Sequence, residues 1–361
     1  MVKKILVVDD SALMRRVLCD IIDSDERFRV ADKAFNGLQA LDLLSRNTYD
    51  AVVLDVNMPR MNGLELLREL RRYKIPARVM MASTDTREGA KITMDALELG
   101  ALDFIHKPDN VAECRMDAFR EELLYTLSVV ADSKLPSFEG AGRPEEQPQM
   151  DRRMVDILKR NSGKIPGRKI VAIASSTGGP KALQTVIPRL PKGLDAPVLV
   201  VQHMPKGFTA SLAERLNTLS QVTVKEAAEG MELENGTVYI AMGGMHMNVA
   251  ASSAGGCILH LSDEPPREGV KPCANYMYES LQDSSFDNVV CVVMTGMGAD
   301  GTEGIRNLKS KKKVHVISQD QETCTVYGMP KSIENAGLQD QVVPLEQIAQ
   351  EITLHVGVRN Q

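Results

Sequence analysis

Two groups of polar residues follow short apolar runs, and their side chains are of the kinds that bind metal ions or catalyse reactions. In the first half of the chain, Asp9, Asp10 and Asp55 stand at the ends of such runs. Three carboxylates brought together repel one another, and a bound divalent cation is the simplest means of keeping them ionised side by side. Because carboxylate oxygens with room for water suit Mg²⁺, these residues predict a Mg²⁺ site.

Two further polar residues, Ser83 and Lys107, follow later apolar runs of the same half. Lys107 precedes Pro108, which restricts the loop, and its ammonium group could reach the carboxylates. A single Asp at a strand end more often caps a turn than forms a site. Polar groups at the ends of four apolar runs favour a functional site over a set of residues that only cap turns.

The second half holds a serine, a histidine and an aspartate at similar places: Ser176, His203 and Asp300. A serine hydroxyl needs an adjacent base to be nucleophilic at neutral pH, and the base needs a carboxylate to orient it. Each residue alone has a structural explanation, such as Asp300 capping a helix after Gly301. Together, and framed by glycine-rich turns, they predict a nucleophile, a general base and an orienting carboxylate.

Two alternatives stay open within this second group. Ser175 stands directly before Ser176, so either hydroxyl could be the nucleophile. His246, which follows Gly243 and Gly244, is a rival base. It lies in a less regular segment, and we therefore rank it behind His203.

The elements that must position these residues alternate between short branched apolar runs and segments of helical period. Such continuous runs are typical of strands buried on both faces of a parallel sheet, where sites lie at the carboxyl ends. The predicted strands of the first half are Ile5–Val8, Phe28–Ala34, Ala51–Leu54, Val79–Ala82 and Leu102–Ile105. Those of the second half are Ile170–Ala174, Val198–Gln202, Thr237–Ala241, Val289–Thr295 and Val314–Ile317, with a hairpin of Met247–Ala250 and Cys257–Leu261.

The pattern therefore predicts an α/β protein of two doubly wound parallel-sheet domains. The domains span residues 1–131 and 168–357, and a linker rich in proline, glycine and charge spans 132–167. Composition excludes several classes of protein. A net charge of −5, 4% aromatic residues and no Trp argue against nucleic-acid binding.

No apolar run is long enough to predict membrane insertion, and the first residues do not form a secretory signal. The six cysteines are scattered without a C-x-x-C pair, which is typical of reduced thiols. We therefore expect a cytoplasmic protein.

The first half resembles the response-regulator receiver family, with its flavodoxin-like fold. The matching motifs are Val7-Val8-Asp9-Asp10-Ser11, Leu54-Asp55-Val56-Asn57-Met58-Pro59 and Lys107-Pro108. The resemblance implies that Asp55 accepts a phosphoryl group from a chemotaxis histidine kinase. It also implies Mg²⁺ between Asp10, Asp55 and the backbone carbonyl of Asn57, with Asp9 in support, and switch roles for Ser83, Phe104 and Lys107.

The second half resembles the chemotaxis protein-glutamate methylesterases, whose catalytic domain is a Rossmann-like α/β fold. The matching motifs are Ser176-Thr177-Gly178-Gly179-Pro180, Gln202-His203-Met204-Pro205, Pro272 with the following Asn275, Thr295-Gly296-Met297-Gly298-Ala299-Asp300-Gly301 and Tyr327-Gly328-Met329-Pro330. The resemblance implies that Ser176 is the nucleophile, His203 the base and acid, and Asp300 the orienting carboxylate. The Met297 amide would bind the oxyanion, and the ester chemistry would need no cofactor. Ala174-Ser175 replaces the Gly-Ala that the family often has.

The two resemblances together imply an esterase that hydrolyses glutamate γ-methyl esters, and deamidates glutamines, on methyl-accepting chemotaxis receptors. Our hypothesis for regulation is that the receiver blocks the Ser176 edge until Asp55 is phosphorylated. Two other classes remain as alternatives: a response regulator whose second domain only binds a partner, and one that binds DNA. The acidic balance argues against DNA binding.

Overall fold

Two parallel sheets, one in each half of the chain, carry the structure. The computed structural model describes residues 2–83, 87–108, 116–135, 166–252 and 255–359. The chain divides into two compact units, residues 1–143 and 144–361. Residues 136–165, most of the predicted linker, lie outside the described ranges. The predicted domain boundaries therefore stay predictions.

The first unit is a five-stranded parallel sheet in the order β2-β1-β3-β4-β5. Its described elements are β1 (Lys3–Val8), α1 (Ala12–Asp23), β2 (Phe28–Ala34), α2 (Gly37–Arg46), β3 (Ala51–Asp55), α3 (Gly63–Arg72), β4 (Val79–Ser83), α4 (Arg87–Leu99), β5 (Asp103–His106) and α5 (Asp117–Asp132).

Burial explains the composition of these strands. Strands β3 and β4 are buried at every position, as their continuous apolar runs predict. Strand β2 lies at the sheet edge, and its exposed positions account for its more polar sequence. Helix α3 begins with a capping box, in which the Asn62 side chain and the Glu65 side chain each accept the other's backbone N–H.

The second unit is a seven-stranded parallel sheet in the order β14-β13-β12-β6-β7-β9-β8, with a separate antiparallel hairpin of β10 and β11. Its elements are β6 (Lys169–Ser175), α6 (Gly179–Val186), β7 (Val198–Gln202), α7 (Phe208–Leu219), β8 (Thr223–Glu226), β9 (Thr237–Ile240), β10 (His246–Ala251), β11 (Cys257–Ser262), α8 (Ala274–Ser280), β12 (Asn288–Val293), α9 (Thr302–Lys309), β13 (Lys313–Gln319), α10 (Met329–Asn335), β14 (Gln341–Val343) and α11 (Ile348–Val356).

The prediction of two doubly wound parallel-sheet units is confirmed, and every predicted strand is present. Two strands were missed, β8 and β14, and both lie at the edges of the second sheet. Edge strands are short and partly exposed, so they lack the continuous apolar run by which central strands are recognised.

The sheet order creates one crevice in each unit. Strand β1 pairs with β2 on one side and β3 on the other, and β6 pairs with β7 and β12 in the same way. The chain winds away in opposite directions from these strands, which opens a crevice at their carboxyl ends. Both predicted sites lie there, because Asp9 follows β1 and Ser176 follows β6.

In the part of the chain that the structure describes, no helix has the length and apolar character needed to cross a membrane.

Candidate functional site

The crevice of the first unit holds a buried lysine between two buried carboxylates. The Nζ atom of Lys107 lies 2.7 Å from Oδ1 of Asp55 and 3.1 Å from Oδ2 of Asp9. The backbone adds support, since the Val56 amide donates to Asp55 and the Ser11 amide donates to Asp9. Residues from β1, β3 and the segment after β5 therefore meet as the strand order requires.

One lysine does not fully offset two buried carboxylates. Burial raises the pKa of Asp55 to about 6; attraction to Lys107 opposes this rise, and repulsion from Asp9 and Asp10 adds to it. Burial also raises the pKa of Asp9. For Lys107, burial alone would lower the pKa, but Asp55 and Asp9 outweigh it and raise the pKa. The crevice therefore has negative charge that a further cation could neutralise.

The donor set fits a hard divalent cation. Carboxylate oxygens of Asp9, Asp10 and Asp55 lie within 4.8 Å of one another, and Asp10 is exposed at the mouth of the crevice. Such oxygen-only ligands with solvent on one side suit Mg²⁺, which keeps several of its waters.

The other predicted receiver residues lie in β4 and β5 or directly after β3. Ser83 ends β4 and is buried, Phe104 is a buried residue of β5, and Asn57 follows β3 with its side chain exposed. The hydroxyl of Ser83 donates a long hydrogen bond of 3.4 Å to the Gly89 carbonyl.

In the second unit, the histidine and the aspartate are in direct contact. Nε2 of His203 lies 2.8 Å from Oδ2 of Asp300. The amide of Ser176 donates to the Thr295 carbonyl at 3.0 Å, so the serine stands between the ends of β7 and β12. Within the described ranges no hydrogen bond joins the Ser176 hydroxyl to the ring. Because Nε2 faces Asp300, Nδ1 is the ring nitrogen left to accept a proton from a hydroxyl.

Asp300 is a buried carboxylate surrounded by donors. Besides His203, it accepts hydrogen bonds from the Cys273 thiol at 3.0 Å, the Ala274 amide at 2.6 Å and the Asn275 amide at 2.9 Å. Burial alone would raise the pKa of Asp300, but these donors, led by His203, hold the pKa below its usual value. The carboxylate stays ionised and can stabilise a positively charged imidazole.

Two helices are capped reciprocally around Asp300. Capping of the helix after Gly301 was the structural alternative for Asp300, but its carboxylate instead accepts the first amides of α8, those of Ala274 and Asn275. In return, Oδ1 of Asn275 accepts the amides of Gly301 and Gly304 at the start of α9. This exchange holds the carboxylate in place from both sides.

The two serines differ in accessibility. Ser175 is fully buried, and its hydroxyl donates to Oε1 of Gln202 at 2.7 Å. Ser176 is partly exposed at the crevice. Gly178, with φ of 76°, makes the turn that follows and allows α6 to begin at once. The geometry favours Ser176 over Ser175 as the hydroxyl that a substrate could reach.

His246 is in a structural environment. It is fully buried, its Nδ1 accepts the Cys273 amide at 3.2 Å, and its Nε2 lies 3.2 Å from the Pro265 carbonyl. Both ring nitrogens are thus occupied by backbone groups, which favours His203 as the base.

The segment around Met297 lies against Ser176. A Cβ atom at Gly296 would be 2.7 Å from the Cβ of Ser176. The Gly296 carbonyl accepts the amides of Gly328 and Met329, which anchors the segment to the start of α10. In the part of the chain described, the Met297 amide has no hydrogen-bond partner, so it is available to a substrate oxygen.

Comparison with known proteins agrees with both units. Residues 171–352 match the family model for CheB methylesterase, and residues 5–116 match that for the response regulator receiver domain. The chain is 42% identical over 357 residues to the protein-glutamate methylesterase/protein-glutamine glutaminase of Bacillus subtilis, covering 97% of each protein.

A second relative, the protein-glutamate methylesterase/protein-glutamine glutaminase 1 of Syntrophomonas wolfei, is 41% identical over 361 residues, covering 97% of this chain and 98% of that protein. Among solved structures, the CheB methylesterase catalytic domain of Thermotoga maritima is 42% identical with a TM-score of 0.50, covering 52% of this chain and 98% of that one.

The fold and the crevices therefore define a response regulator whose receiver domain is followed by an α/β hydrolase domain. The chain belongs to the CheB family of protein-glutamate methylesterases/protein-glutamine glutaminases, and it is an enzyme of that class. The resemblances seen in the sequence are confirmed, and the enzyme class is favoured over the partner-binding and DNA-binding alternatives.

The raised pKa of Asp55 predicts how stability depends on pH. In the unfolded chain this carboxyl ionises near its ordinary pKa of 3.8, whereas in the folded state it ionises at about 6. Ionised Asp55 therefore destabilises the receiver above pH 6, and the effect disappears below pH 4. We expect Asp55→Asn to raise the free energy of unfolding by about 1–3 kcal/mol at pH 7.5 and by little at pH 4.

Urea unfolding monitored by pulse proteolysis, with receiver peptides identified by mass spectrometry, measures this free energy. Asp42→Asn is the matched control, because Asp42 is exposed on α2 and pairs with Arg46 at the surface. An equal gain at both pH values would contradict the prediction.

The close approach of Gly328 to the Met297 segment yields a kinetic prediction. A Cβ atom at Gly328 would lie 2.7 Å from the Gly296 carbonyl oxygen and 2.9 Å from the Met297 Cα atom. Gly328→Ala must displace that segment, and we expect kcat for ester hydrolysis to fall about ten- to hundredfold with little change in KM. Gly256→Ala is the control, because a Cβ atom there has open space. An unchanged kcat in Gly328→Ala would argue against an oxyanion role for Met297.

Proposed function

We propose that this chain hydrolyses glutamate γ-methyl esters on methyl-accepting chemotaxis receptors by a Ser-His-Asp mechanism controlled through Asp55. The observation that carries the mechanism is the 2.8 Å contact between His203 and Asp300 beside the accessible Ser176. Family membership supports the substrate class, because the relatives are named for glutamate methylesterase and glutamine glutaminase activity.

The reaction begins with proton transfer. Nδ1 of His203 takes the proton of the Ser176 hydroxyl as its oxygen attacks the ester carbonyl carbon. The Met297 amide donates to the resulting oxyanion, and ionised Asp300 stabilises the imidazolium. The intermediate collapses when His203 returns its proton to the leaving methanol, and a glutamyl ester of Ser176 remains.

Water completes the cycle. His203 accepts a proton from a water molecule, whose oxygen attacks the acyl carbon, and Ser176 leaves with the proton returned by His203. The products are a glutamate carboxylate and the free enzyme. A glutamine side chain follows the same route with ammonia as the leaving group, which accounts for both activities in the names of the relatives.

We propose that the receiver controls the esterase activity. A receiver domain implies a phosphodonor kinase, and we propose that a chemotaxis histidine kinase supplies the phosphoryl group that Asp55 accepts. Asp10 and Asp55, with Asp9 in support and the Asn57 carbonyl, would hold Mg²⁺, which when bound offsets the negative charge of the phosphoryl oxygens.

The remaining receiver residues respond to that charge. A phosphoryl group brings about −1.5 to −2 charges and three strong acceptors. Lys107, already paired with Asp55, would pair with it, and the Ser83 hydroxyl donates a long hydrogen bond to the Gly89 carbonyl that a phosphoryl oxygen could replace. We propose that Ser83 and Phe104 then rearrange and that the receiver thereby stops restraining the esterase.

Replacement of each serine tests the chemistry. We expect Ser176→Ala to lower methanol release from methylated receptor membranes by about 10³-fold or more, because the nucleophile is lost. Ser175→Ala should lower methanol release by only about threefold, because its buried hydroxyl cannot reach a substrate. Gas chromatography of methanol measures both, and the reverse pattern would move the nucleophile to Ser175.

A phosphodonor tests the control. We expect acetyl phosphate with Mg²⁺ to raise methanol release severalfold in the parent chain and to leave Asp55→Asn unchanged, because the acceptor carboxylate is gone. Asp42→Asn, exposed on α2, should respond like the parent. An equal response in Asp55→Asn would place the control elsewhere.

A further inference from the structure

Gln202, the last residue of β7, connects the proposed nucleophile to the proposed base. Its Nε2 atom donates to the Ser176 carbonyl at 2.9 Å and to the His203 carbonyl at 3.1 Å. Its Oε1 atom accepts the Ser175 hydroxyl at 2.7 Å. One carboxamide thus contacts both residues and the serine that precedes Ser176.

This connection begins where the sheet ends. The pairing of β6 with β7 ends at Ser175 opposite Gln202, and the last backbone bond runs from the His203 amide to the Ser175 carbonyl. Within the described ranges, no hydrogen bond links Ser176 directly to His203. The Gln202 side chain therefore extends the connection between the two strands by one residue, to the pair that must react.

The carboxamide has a single arrangement. Gln202 is 1% exposed, and both hydrogens of Nε2 have a carbonyl acceptor. A flipped amide would turn its oxygen toward two carbonyl oxygens, which repel it. A Cβ atom at Gly179 would overlap Oε1, so the space around the amide is filled.

We propose that Gln202 is a positioning residue that fixes the Ser176 hydroxyl relative to the His203 ring, and that Ser175 serves to orient Gln202. This inference rests on the proposed roles of Ser176 and His203. It gives Ser175 a function that explains its burial, and it explains why the polar residue Gln202 ends an otherwise apolar strand.

A small organophosphorus probe separates positioning from receptor binding. With diisopropyl fluorophosphate, the attacking serine forms an O–P bond as the P–F bond breaks; fluoride leaves and the serine proton passes to the base. The maximal inactivation rate and the half-saturating probe concentration are measured on the full chain. Mass spectrometry of the labelled peptide identifies the modified serine.

Three variants and one control are compared. Gln202→Met keeps the volume and removes both donors, and we expect the maximal inactivation rate to fall about tenfold or more, because small misplacements of reacting groups are costly. Gln202→Glu, which when protonated keeps one donor, should fall less. Ser175→Ala should fall by about threefold, since it removes only the bond that orients the amide. The half-saturating probe concentration should change little in all three.

Ser318→Ala is the matched control, because Ser318 is equally buried in β13 and, in the described part of the chain, its hydroxyl has no partner. It should inactivate at the parental rate. If Gln202→Met and Gln202→Glu lose melting temperature but inactivate at the parental rate, Gln202 is only structural and the proposal is overturned. A parental rate in Ser175→Ala overturns the role of Ser175. A label on a serine other than Ser176 instead overturns the proposed nucleophile, and this result is read independently of the rates.

Discussion

A carboxylate removed from water is stable in its ionised form only when other groups replace the lost hydrogen bonds. Both crevices of this protein depend on how completely that replacement is made. In the receiver, Lys107 and the Val56 amide leave Asp55 with a pKa of about 6 and with two carboxylates close by. In the hydrolase unit, Asp300 receives donors from a ring, a thiol and two amides, and its pKa is lowered.

This difference in pKa between Asp55 and Asp300 matches the different roles that we propose for the two carboxylates. Added positive charge would relieve the incompletely neutralised surroundings of Asp55, which suits the Mg²⁺ that we propose there. The donors around Asp300 keep it ionised, which suits the role of orienting His203 that we propose for it. The strand order determines where these carboxylates lie, and the number of donors around each determines what it can do.

Much of the fold was predictable because the central strands are buried on both faces and read as continuous apolar runs. Strands β8 and β14 were not predicted, because a short edge strand with exposed positions has no such run. The predicted site residues could be gathered because carboxyl ends of neighbouring parallel strands share one edge. The contacts of Gln202 and Asn275 could not be predicted, because they depend on which backbone groups their side-chain amides meet, and strand order does not determine that. The one signal that the sequence offered for Gln202 was a polar carboxamide residue at the end of an otherwise apolar strand.

The reciprocal caps of α8 and α9 also bear on how such a site is inherited or transferred. Asp300 completes one helix while Asn275 completes the other, so a change at either position disturbs a partner that is distant in the sequence. Substitution of one residue is therefore expected to be tolerated chiefly when the other changes with it. A designer who transplanted the serine, the histidine and the aspartate alone onto a new scaffold would carry over the reacting atoms without the helices that keep the charge in place.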